Sequence, residues 1–380
     1  GPQGPAGPAG ATGPQGPAGA QGPQGPAGSG SGSGYSIRPK IYRADMANSA
    51  FKAVGNTIVL RAGAQIEFNG LLIAPTTDQA ITIPTPQGGK DYCICMHLTG
   101  VIQAYQYPDN RPAGSVIIGG YHVLPGAPSL GLDLGGDWIP TLLSWSVWDL
   151  SFRPSCDPRG MTRISNTGQW VDIYFQGNSS CADGISRNND PILHGTNPPL
   201  IPADFGGNGT AKYPATTWWV ANEHLGQFAK KIPSYALLCL ATFGTNEQDG
   251  RGVHPGNTGL LQDGHNGSSD PNFTSKFGLI QSTGCLWHYC ADLSYFPGGT
   301  TANASGFEAY DVTEGRGKII MNGINGMTGI LHGGQNAYTT TSGIHGFTNV
   351  AGSRAAETLE KLWDVSANIG IRGCCDHISH

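Results

Sequence analysis

The chain has 380 residues, of which 12% are charged, and its formal net charge is −5 at pH 7. Basic side chains do not cluster, which argues against nucleic acid as a partner, and no apolar run approaches the roughly 18 residues that a membrane-spanning helix needs. An apolar signal segment is also absent from the first residues, so we expect neither secretion through a signal peptide nor membrane insertion.

The sequence opens with a collagen-like repeat. Glycine occupies every third position from Gly1 to Gly28, and proline follows most of these glycines. Only glycine fits at the crowded axis of a collagen triple helix, so a repeat of this kind winds three polyproline-II-like chains together. Residues 1–28 therefore predict a homotrimer, and a Gly/Ser linker follows at 29–34.

Residues 35–165 are typical of a β-sandwich, because apolar and polar residues alternate over short segments. Asn69-Gly70, between two such runs, is a strong signal for a two-residue hairpin turn. A second hairpin is predicted in DYCICMHLTGVIQAYQY with its turn near Gly100, and further strands in SVIIGGYHVL and LLSWSVWDLSF. No long helical periodicity occurs before about residue 165, so we predict an all-β domain here.

Residues 166–380 combine strands, two helices and long loops, which indicates an α+β domain. After a strand in QWVDIYFQG, one helix is predicted near Trp218 to Lys230 and a second after Ser234, ending at Gly244. The stretch 245–272 is rich in Gly, Asn and Asp, and loops of this length in compact domains are usually functional. Its oxygen atoms could bind Ca²⁺, but it lacks the residue order of an EF-hand loop. We therefore expect a solvated loop and no cofactor, with Ca²⁺ as the alternative.

The chain contains nine cysteines with irregular spacing. An odd number favours reduced, buried thiols from cytosolic assembly over a disulfide framework. Two segments raise the question of zinc: CLWHYC, with Cys285, His288 and Cys290, and RGCCDH, with Cys374 and Cys375. Neither has the paired spacing of a zinc site, so we prefer a structural role in the core for both.

Several segments occur in an order that resembles one known family. They are SWSVWDLSFRPSCDPRGMT, WVDIYFQG, FGGNGTAKY, FTSKFGLIQSTGCLW, LHGG, GSRAA and RGCCDH, with IVLRAGAQIEFNG and GGKDYCICM nearer the start. In this order they resemble the phage major tropism determinants, which are receptor-binding proteins at the tips of tail fibres. The likeness runs from about Tyr42 to Ile378, nearly everything after the collagen-like repeat.

The resemblance implies a homotrimer in a phage virion, assembled in the host cytoplasm. Its partners would be its own copies, tail-fibre shaft proteins and a host cell-surface receptor, either protein or glycan. The implied fold is a β-sandwich followed by a C-type lectin-like domain of the kind shared with formylglycine-generating enzymes. This domain would carry a variable region at about 331–380, which a diversity-generating retroelement rewrites in some phages. Two departures stand out: the collagen-like repeat replaces a small β-prism domain, and the segment between LHGG and GSRAA is longer here.

Carried over onto this chain, the family's contact positions give a set of predicted receptor-binding residues. The spacing between GSRAA and the following Arg-Gly pair has no gap, which places them at Glu357, Leu359, Glu360, Asp364, Ser366, Asn368 and Ile369. The longer segment upstream, where the register is ambiguous, adds Gln335, Asn336, Tyr338, His345, Phe347 and Asn349. Core packing is the open alternative for Leu359 and Ile369, and an ordinary polar loop is the alternative for the upstream set. Burying a polar group without a partner is costly, so the polar residues after Trp363 are the better contact candidates.

A predicted framework fixes the backbone while these side chains face outward. It comprises Gly352, Ser353, Arg354, Ala355, Ala356, Trp363, Arg372 and Gly373. Small residues in this set allow segments of the chain to pack closely. A buried arginine can donate to several loop carbonyls through its planar fork of N–H groups.

We therefore expect a receptor-binding protein that is not an enzyme, against three alternatives. A collagen-tailed lectin that binds glycans would be expected to have an export signal and disulfides. A formylglycine-generating-type enzyme would work through a cysteine pair, but Cys374-Cys375 has no neighbouring base or basic cluster. A fibre that cleaves polysaccharides would show paired carboxylates in a β-helical repeat, and no such repeat is seen.

Overall fold

A computed structural model of the chain describes residues 1, 4, 38–108, 111–126, 141–247, 273–296, 308–310, 319–321, 326–334, 351–358 and 362–379. Nearly all of the collagen-like repeat and the whole Gly/Ser linker lie outside these residues, so the triple helix remains a prediction. Ser36–His380 forms one compact unit. Everything described below belongs to that unit.

The described residues of the first part form mainly β-strands, as the sequence predicts, with one 3-10 turn among them. In chain order they are β1 (Lys40–Tyr42), β2 (Phe51–Val54), β3 (Thr57–Leu60), β4 (Gln65–Phe68), β5 (Leu71–Ile73), β6 (Gln79–Ala80), β7 (Lys90–Met96), β8 (Ile102–Gln106), β9 (Val116–Leu124), β10 (Thr141–Leu142), β11 (Trp148–Asp149), β12 (Phe152–Pro154), β13 (Met161–Arg163) and β14 (Gln169–Asp172). Two three-stranded sheets have the orders β1-β4-β5 and β2-β3-β6. A buried apolar cluster that includes Phe51, Leu60, Ile66 and Ile94 packs these sheets against the longer strands β7 and β9.

Both predicted hairpins form. β4 and β5 pair with Phe68 opposite Leu71, and the two residues between them, Asn69 and Gly70, have φ of 51° and 79°. Positive φ at both central positions is the signature of the type I′ turn that Asn-Gly favours. β7 and β8 also pair as antiparallel neighbours, joined by the five residues 97–101, in which Gly100 has a φ of 86°.

A nine-stranded sheet joins the two regions that the sequence analysis separates at residue 165. Its order is β13-β14-β21-β12-β11-β9-β7-β8, with β10 paired to β9. The strand β21 (Cys374–Ser379), from the far end of the chain, lies between β14 and β12. The predicted boundary at residue 165 therefore falls inside a continuous sheet. The segment LLSWSVWDLSF, predicted as one strand, is interrupted by a 3-10 turn at Ser144–Ser146.

The described residues of the second part contain three short α-helices: α1 (Ser180–Asp183), α2 (Trp218–Gly226) and α3 (Tyr235–Ala241). Each of the two longer helices begins after a hydroxyl N-cap: Thr217 accepts a hydrogen bond from the Val220 N–H, and Ser234 accepts one from the Leu237 N–H. The first predicted helix extends to Lys230, but α2 ends at Gly226. Beyond it, Ala229 has a φ of 56°, a left-handed conformation that no helix continues through.

A second, six-stranded sheet completes the fold. Its strands are β15 (Trp287–Phe296), β16 (Glu308–Tyr310), β17 (Ile319–Met321), β18 (Gly326–His332), β19 (Ala356–Glu357) and β20 (Ile369–Gly370). They lie in the order β16-β17-β19-β18-β15-β20. A buried cluster including Leu225, Trp287, Leu331, Ile369 and Ile371 packs α2 against this sheet.

All nine cysteines are free thiols, and seven of them are buried, the other two being the half-buried Cys181 and Cys239. Among the described residues, no group of three or more His, Cys, Asp or Glu side chains is arranged to hold a metal ion. Within that same part of the chain, no helix is long and apolar enough to cross a bilayer.

Buried histidines should make the fold sensitive to acid. Burial, with a smaller effect of the Lys230 charge, lowers the pKa of His224 to about 3. Burial also holds the pKa of His288 well below its ordinary value and lowers that of His377 to about 4. In the unfolded chain these imidazoles titrate near about 6.5, so between roughly pH 4 and 6.5 the unfolded state binds more protons than the folded state.

We therefore expect stability to be complete above about pH 7 and to fall by roughly 3 kcal/mol per pH unit as the pH decreases toward 4, about 1.4 for each of the two fully buried histidines, His224 and His288. Urea unfolding at a series of pH values measures this slope. The variant His224→Gln should have a shallower pH dependence than the unchanged chain. A urea midpoint that stays constant from pH 7 to pH 5 would contradict the expectation.

Candidate functional site

The last described segment of the chain is held in place by Arg372. Its buried guanidinium donates from Nη1 to the carbonyl oxygens of Asp172 (2.8 Å) and Ile173 (2.7 Å), and from Nη2 to that of Ile280 (2.7 Å). The group also lies over the ring of Phe175, 4.5 Å from its centroid. Burial lowers the pKa of Arg372 to about 9, so the side chain is still charged at neutral pH. These are the carbonyl contacts that the sequence analysis expects of a buried framework arginine.

A buried ion pair lies next to Arg372. The Lys230 ammonium is 2.6 Å from Asp172 Oδ1, and both side chains are almost fully removed from solvent. The second oxygen, Asp172 Oδ2, accepts hydrogen bonds from the Gly373 N–H (2.7 Å) and from the Gln176 amide (2.5 Å). A buried carboxylate with this many partners is satisfied, whereas removing one partner of such a pair typically costs about 3–5 kcal/mol. The framework position Gly373 is thus fixed through its backbone.

The GSRAA segment is also fixed by hydrogen bonds. Ser353 donates from its backbone N–H and from its hydroxyl to the two carboxylate oxygens of Glu247, at 2.8 Å and 2.6 Å. Its carbonyl oxygen lies 3.0 Å from Nε2 of His332, and the Tyr235 hydroxyl donates to the carbonyl of Arg354. Gly352, Ser353, Ala355 and Ala356 are buried. This geometry suits the framework role predicted for the segment.

Between these two anchors the chain forms a loop, residues 362–368, that is held through its main chain. The Leu362 carbonyl accepts from the Trp218 N–H (3.2 Å) and the Ser366 carbonyl from the Gly195 N–H (3.0 Å). The Asn368 carbonyl accepts from the Trp287 N–H (2.8 Å). Because these contacts use backbone atoms, the side chains of the loop can change without removing them.

Glycine is required where this loop meets the neighbouring segment. A Cβ atom at Gly195 would lie 2.4 Å from the carbonyl oxygen of Ser366, closer than real Cβ contacts come. Any larger residue at position 195 would push the loop away. The close approach therefore fixes the position of Ser366 from outside the loop.

The side chains of the loop are arranged differently from some of the predictions. Trp363, predicted as framework, is 61% exposed, and the neighbouring Val365 is 47% exposed. The prediction for Trp363 is thus wrong: Leu362 fills the core position beside it. Asp364, Ser366 and Asn368, the preferred contact candidates, are partly exposed.

Two predicted contact residues are buried. Glu357 is 1% exposed in β19, where it pairs with Leu331 of β18 and Ile320 of β17. Ile369 is 1% exposed in β20 and belongs to the apolar cluster beneath the second sheet. A side chain enclosed between strands cannot reach a receptor, so this burial removes Glu357 and Ile369 from the contact set. The remaining predicted contacts lie outside the described residues: Gln335, Asn336, Tyr338, His345, Phe347, Asn349, Leu359 and Glu360.

Sequence reasoning missed one aromatic residue beside the loop. Trp219, in the first turn of α2, is 52% exposed, and its ring meets that of Trp218 edge to face at 4.9 Å. Trp218 is the residue whose N–H binds the Leu362 carbonyl, so α2 brings Trp219 next to the loop. Two adjacent tryptophans in one helical turn cannot both face the core, and this was the available signal. We use "loop surface" for the set Trp219, Trp363, Asp364, Val365, Ser366 and Asn368.

The vicinal cysteines do not form an accessible reactive site. Cys374 and Cys375 follow each other in β21 and therefore point to opposite faces of the sheet, where each joins a different apolar cluster. Both are at most 2% exposed, and burial raises the pKa of Cys374. Cys375 lies against Cys156, with 2.9 Å between the sulfur atoms. The hydrogen bond with Cys156 lowers the pKa of Cys375 to about 7, but its sulfur atom is buried in an apolar cluster. Because neither thiol is accessible, the geometry is that of core packing.

Known proteins share both the sequence and this architecture. The chain is 31% identical over 352 residues to the tail fibre receptor-binding protein of Bordetella phage BPP-1, a match that covers 90% of this chain and 86% of that protein. Solved structures of the M1 and U1 variants of the major tropism determinant match with a TM-score of 0.74 at 31% identity. They cover 90% of this chain and 87% and 86% of their own chains. No family model matches the chain.

Replacing Arg372 with lysine tests how much the stability of the fold depends on the several N–H donors of the Arg372 guanidinium. One ammonium cannot bind three carbonyl oxygens in that plane, so Arg372→Lys should leave at least one of them unsatisfied and lower the free energy of unfolding by about 2–4 kcal/mol. Urea unfolding followed by tryptophan fluorescence measures this change. Arg153→Lys, at a half-buried position of β12, is the control and should unfold near the original midpoint. Equal stability of the two variants would rule out this role for Arg372.

Proposed function

Because the chain belongs to the family of phage tail-fibre receptor-binding proteins that includes the major tropism determinants, it is a host-recognition protein, and we propose that the loop surface contacts the receptor. The proposal is carried by one observation: the described part of the C-terminal region exposes Trp363, Asp364 and Val365 while its backbone is fixed by buried groups. Interfaces concentrate their energy in exposed aromatic residues surrounded by polar ones. Trp219 and Trp363 supply such anchors, and Asp364, Ser366 and Asn368 supply the polar groups.

The same arrangement supports a role as a scaffold for sequence change. The loop is held at three points through main-chain carbonyls, so most of its side chains can change without removing these contacts; the Ser366 hydroxyl, which accepts from the Asn368 N–H (3.1 Å), and the buried Leu362 are exceptions. We infer a C-type lectin-like domain that displays a variable-type region at about 331–380. Diversification by a retroelement, as in some members of the family, would alter recognition without altering the framework.

Three copies of the surface would act together. A collagen-like repeat holds chains in threes, and linking weak sites raises apparent affinity by about 10²–10⁴ when the spacing of receptors allows simultaneous binding. In this proposal the protein is a component of the virion, assembled as a homotrimer in the host cytoplasm on shaft proteins of the tail fibre. The receptor is a protein or a glycan of the host surface.

No observation favours the alternative functions over this one. The relatives carry names of receptor-binding proteins, and the cysteine pair expected of a formylglycine-generating-type enzyme is buried on two faces of a sheet. Three alternatives would each need a separate observation in their favour: catalysis, a Ca²⁺ ion bound by residues 245–272, and a role as a collagen-tailed lectin outside a phage.

Substitutions on the loop surface should weaken attachment to host cells without unfolding the protein. We expect the variant Trp363→Ala/Asp364→Ala/Ser366→Ala/Asn368→Ala to bind host cells at least about tenfold more weakly, because it removes an aromatic anchor and three polar contacts. Flow cytometry with labelled protein measures binding, and thermal unfolding verifies the fold. The control Asn56→Ala/Gln65→Ala/Gln79→Ala, at exposed positions of the sandwich, should bind as before. Unchanged binding by the loop variant would move the contact surface elsewhere.

The intact chain should be trimeric in solution. Light scattering coupled to gel filtration should give three times the 39.6 kDa mass of one chain. Its dissociation from a receptor-dense surface should be slower than from a sparse one, because rebinding through a second copy requires neighbouring receptors. A monomeric mass at micromolar concentration would overturn the multivalent part of the proposal and leave the contact surface untested by this measurement.

A further inference from the structure

A small pocket lies in the sandwich part of the fold, and no residue of the loop surface lines it. Its volume is about 250 Å³, and its wall comes from β2, the end of β3, the 3-10 turn, β12 and β13. Its charged, polar and aromatic lining residues include Asn48, Lys52, Arg61, Ser144, Trp145 and Arg163. Pockets for drug-sized ligands start near about 300 Å³, so this one suits a single small group such as one sugar unit.

The pocket is positively charged in a chain whose net charge is negative. Lys52, Arg61 and Arg163 contribute to its wall, and no carboxylate does. The Lys52 ammonium is paired with Asp78, 2.5 Å away, and Asp78 also attracts Arg61 without forming an ion pair with it. Burial lowers the pKa of Arg163 and the charge of Arg61 lowers it further, so the two guanidinium groups repel each other. An anion placed between them would relieve this repulsion.

Neither arginine forms an ion pair with a carboxylate of the described residues. Asp45 attracts both Arg61 and Arg163, but its own oxygens accept hydrogen bonds from the Ala47 N–H (2.9 Å) and the Asn48 amide (2.6 Å). A second pocket of the described chain shows the contrast. There Arg159 is paired with Asp157, and Arg187 with Asp183. The first pocket differs because its arginine charges lack partners of this kind.

Each arginine is held in position by one hydrogen bond and has further N–H groups that make none. Arg61 donates from Nε to the Ser49 carbonyl (2.9 Å), and Arg163 donates from Nη1 to the Ala47 carbonyl (3.1 Å). Among the described residues, the two Nη atoms of Arg61 and the Nε and Nη2 atoms of Arg163 make no hydrogen bond. Guanidinium forks of this kind match the two oxygens of a carboxylate. The site is thus ordered before a ligand arrives.

An aromatic wall makes the pocket more than an anion site. The half-buried Trp145 ring has its position set by edge contact with Phe277 at 5.1 Å and by Arg163, whose guanidinium carbon lies 5.7 Å from the ring centroid. The exposed Ser144 hydroxyl and the Asn48 amide lie on the same wall. An apolar ring with a few polar groups is how protein pockets hold a molecule that has one apolar face and several hydroxyls.

We propose that this pocket binds the carboxylate-bearing sugar of an acidic glycan, with the carboxylate between Arg61 and Arg163 and the sugar ring against Trp145. Inorganic phosphate shares the anionic chemistry but would leave Trp145 and Ser144 without a role. The site is separate from the loop surface, and the proposal stands whether or not that surface contacts the receptor. On a trimer, three such pockets would add weak, repeated contacts to an acidic surface.

Calorimetry and saturation-transfer NMR on the full chain test the proposal with four probes: glucuronate, N-acetylneuraminate, glucose and inorganic phosphate. At least one of the acidic sugars should bind with a dissociation constant of about 1 mM, weakening as salt is added, and should bind more tightly than phosphate. Glucose should not bind. Trp145→Ala should reduce the affinity of the acidic sugar to that of phosphate. Failure of both acidic sugars to bind at tens of millimolar, or equal binding of glucose, would overturn the proposal.

Arginine variants locate the binding. Arg61→Gln should weaken binding of the acidic sugar at least about tenfold, and Arg61→Gln/Arg163→Gln should abolish it. Arg163 also packs over the Phe152 ring, so its replacement could disturb the fold, whereas Arg61→Gln should not. The thermal midpoint of the Arg61→Gln variant verifies that it is folded. The matched control is Arg159→Gln/Arg187→Gln in the second pocket, which removes two arginines from another site and should leave binding unchanged. Equal loss in the control, or no loss in Arg61→Gln, would assign the binding elsewhere.

Discussion

The architecture depends on one buried arginine. Arg372 holds carbonyl oxygens from two distant parts of the chain, at 172–173 and at 280, while the adjacent Asp172–Lys230 pair fixes the residue that follows it. Charged groups so deep in a protein are tolerated when they are paired and hydrogen-bonded. Both Nη atoms of Arg372 and both oxygens of Asp172 have partners, whereas Arg372 Nε has none among the described residues. These bonds fix the chain on either side of Arg372. In the loop at 362–368 the Leu362 side chain is buried, and the others are exposed or partly exposed.

Much of the first half of the fold could be predicted because its information is local. Asn69-Gly70 sets a turn by its own backbone preference, and the apolar residues of β7 identify a strand, although both of its faces are buried from Tyr92 to Met96. The nine-stranded sheet could not be predicted in this way, because β21 pairs with strands more than 200 residues away and no local pattern records that pairing. The same long-range pairing explains why the boundary at residue 165 did not separate two bodies. Local signals identify strands, and tertiary contacts decide which sheet they join.

In the candidate site, too, some features could be predicted from the sequence and others depend on long-range contacts. Arg372 was predictable from chemistry, since a buried arginine must find several carbonyl groups. Trp363 was assigned to the framework from the resemblance to the family, but the neighbouring Leu362 is buried and Trp363 is exposed. Glu357 was assigned to the contact set by the same carry-over of positions, yet its side chain is buried in the second sheet. In both cases the deciding fact is the position of a residue among strands from elsewhere in the chain, which a linear sequence does not contain.

The interior position of β21 has a consequence for how the protein is made. While residues 374–379 are still inside the ribosome, β12 and β14 both present open edges with unpaired N–H and C=O groups. The sheet therefore forms completely only after this strand has been synthesised. A chain that stops before it leaves the edges of β12 and β14 unpaired and able to pair with other chains. Such a product is a substrate for chaperones and proteases. Synthesis of the chain through residue 379 is thereby a condition for closing the nine-stranded sheet.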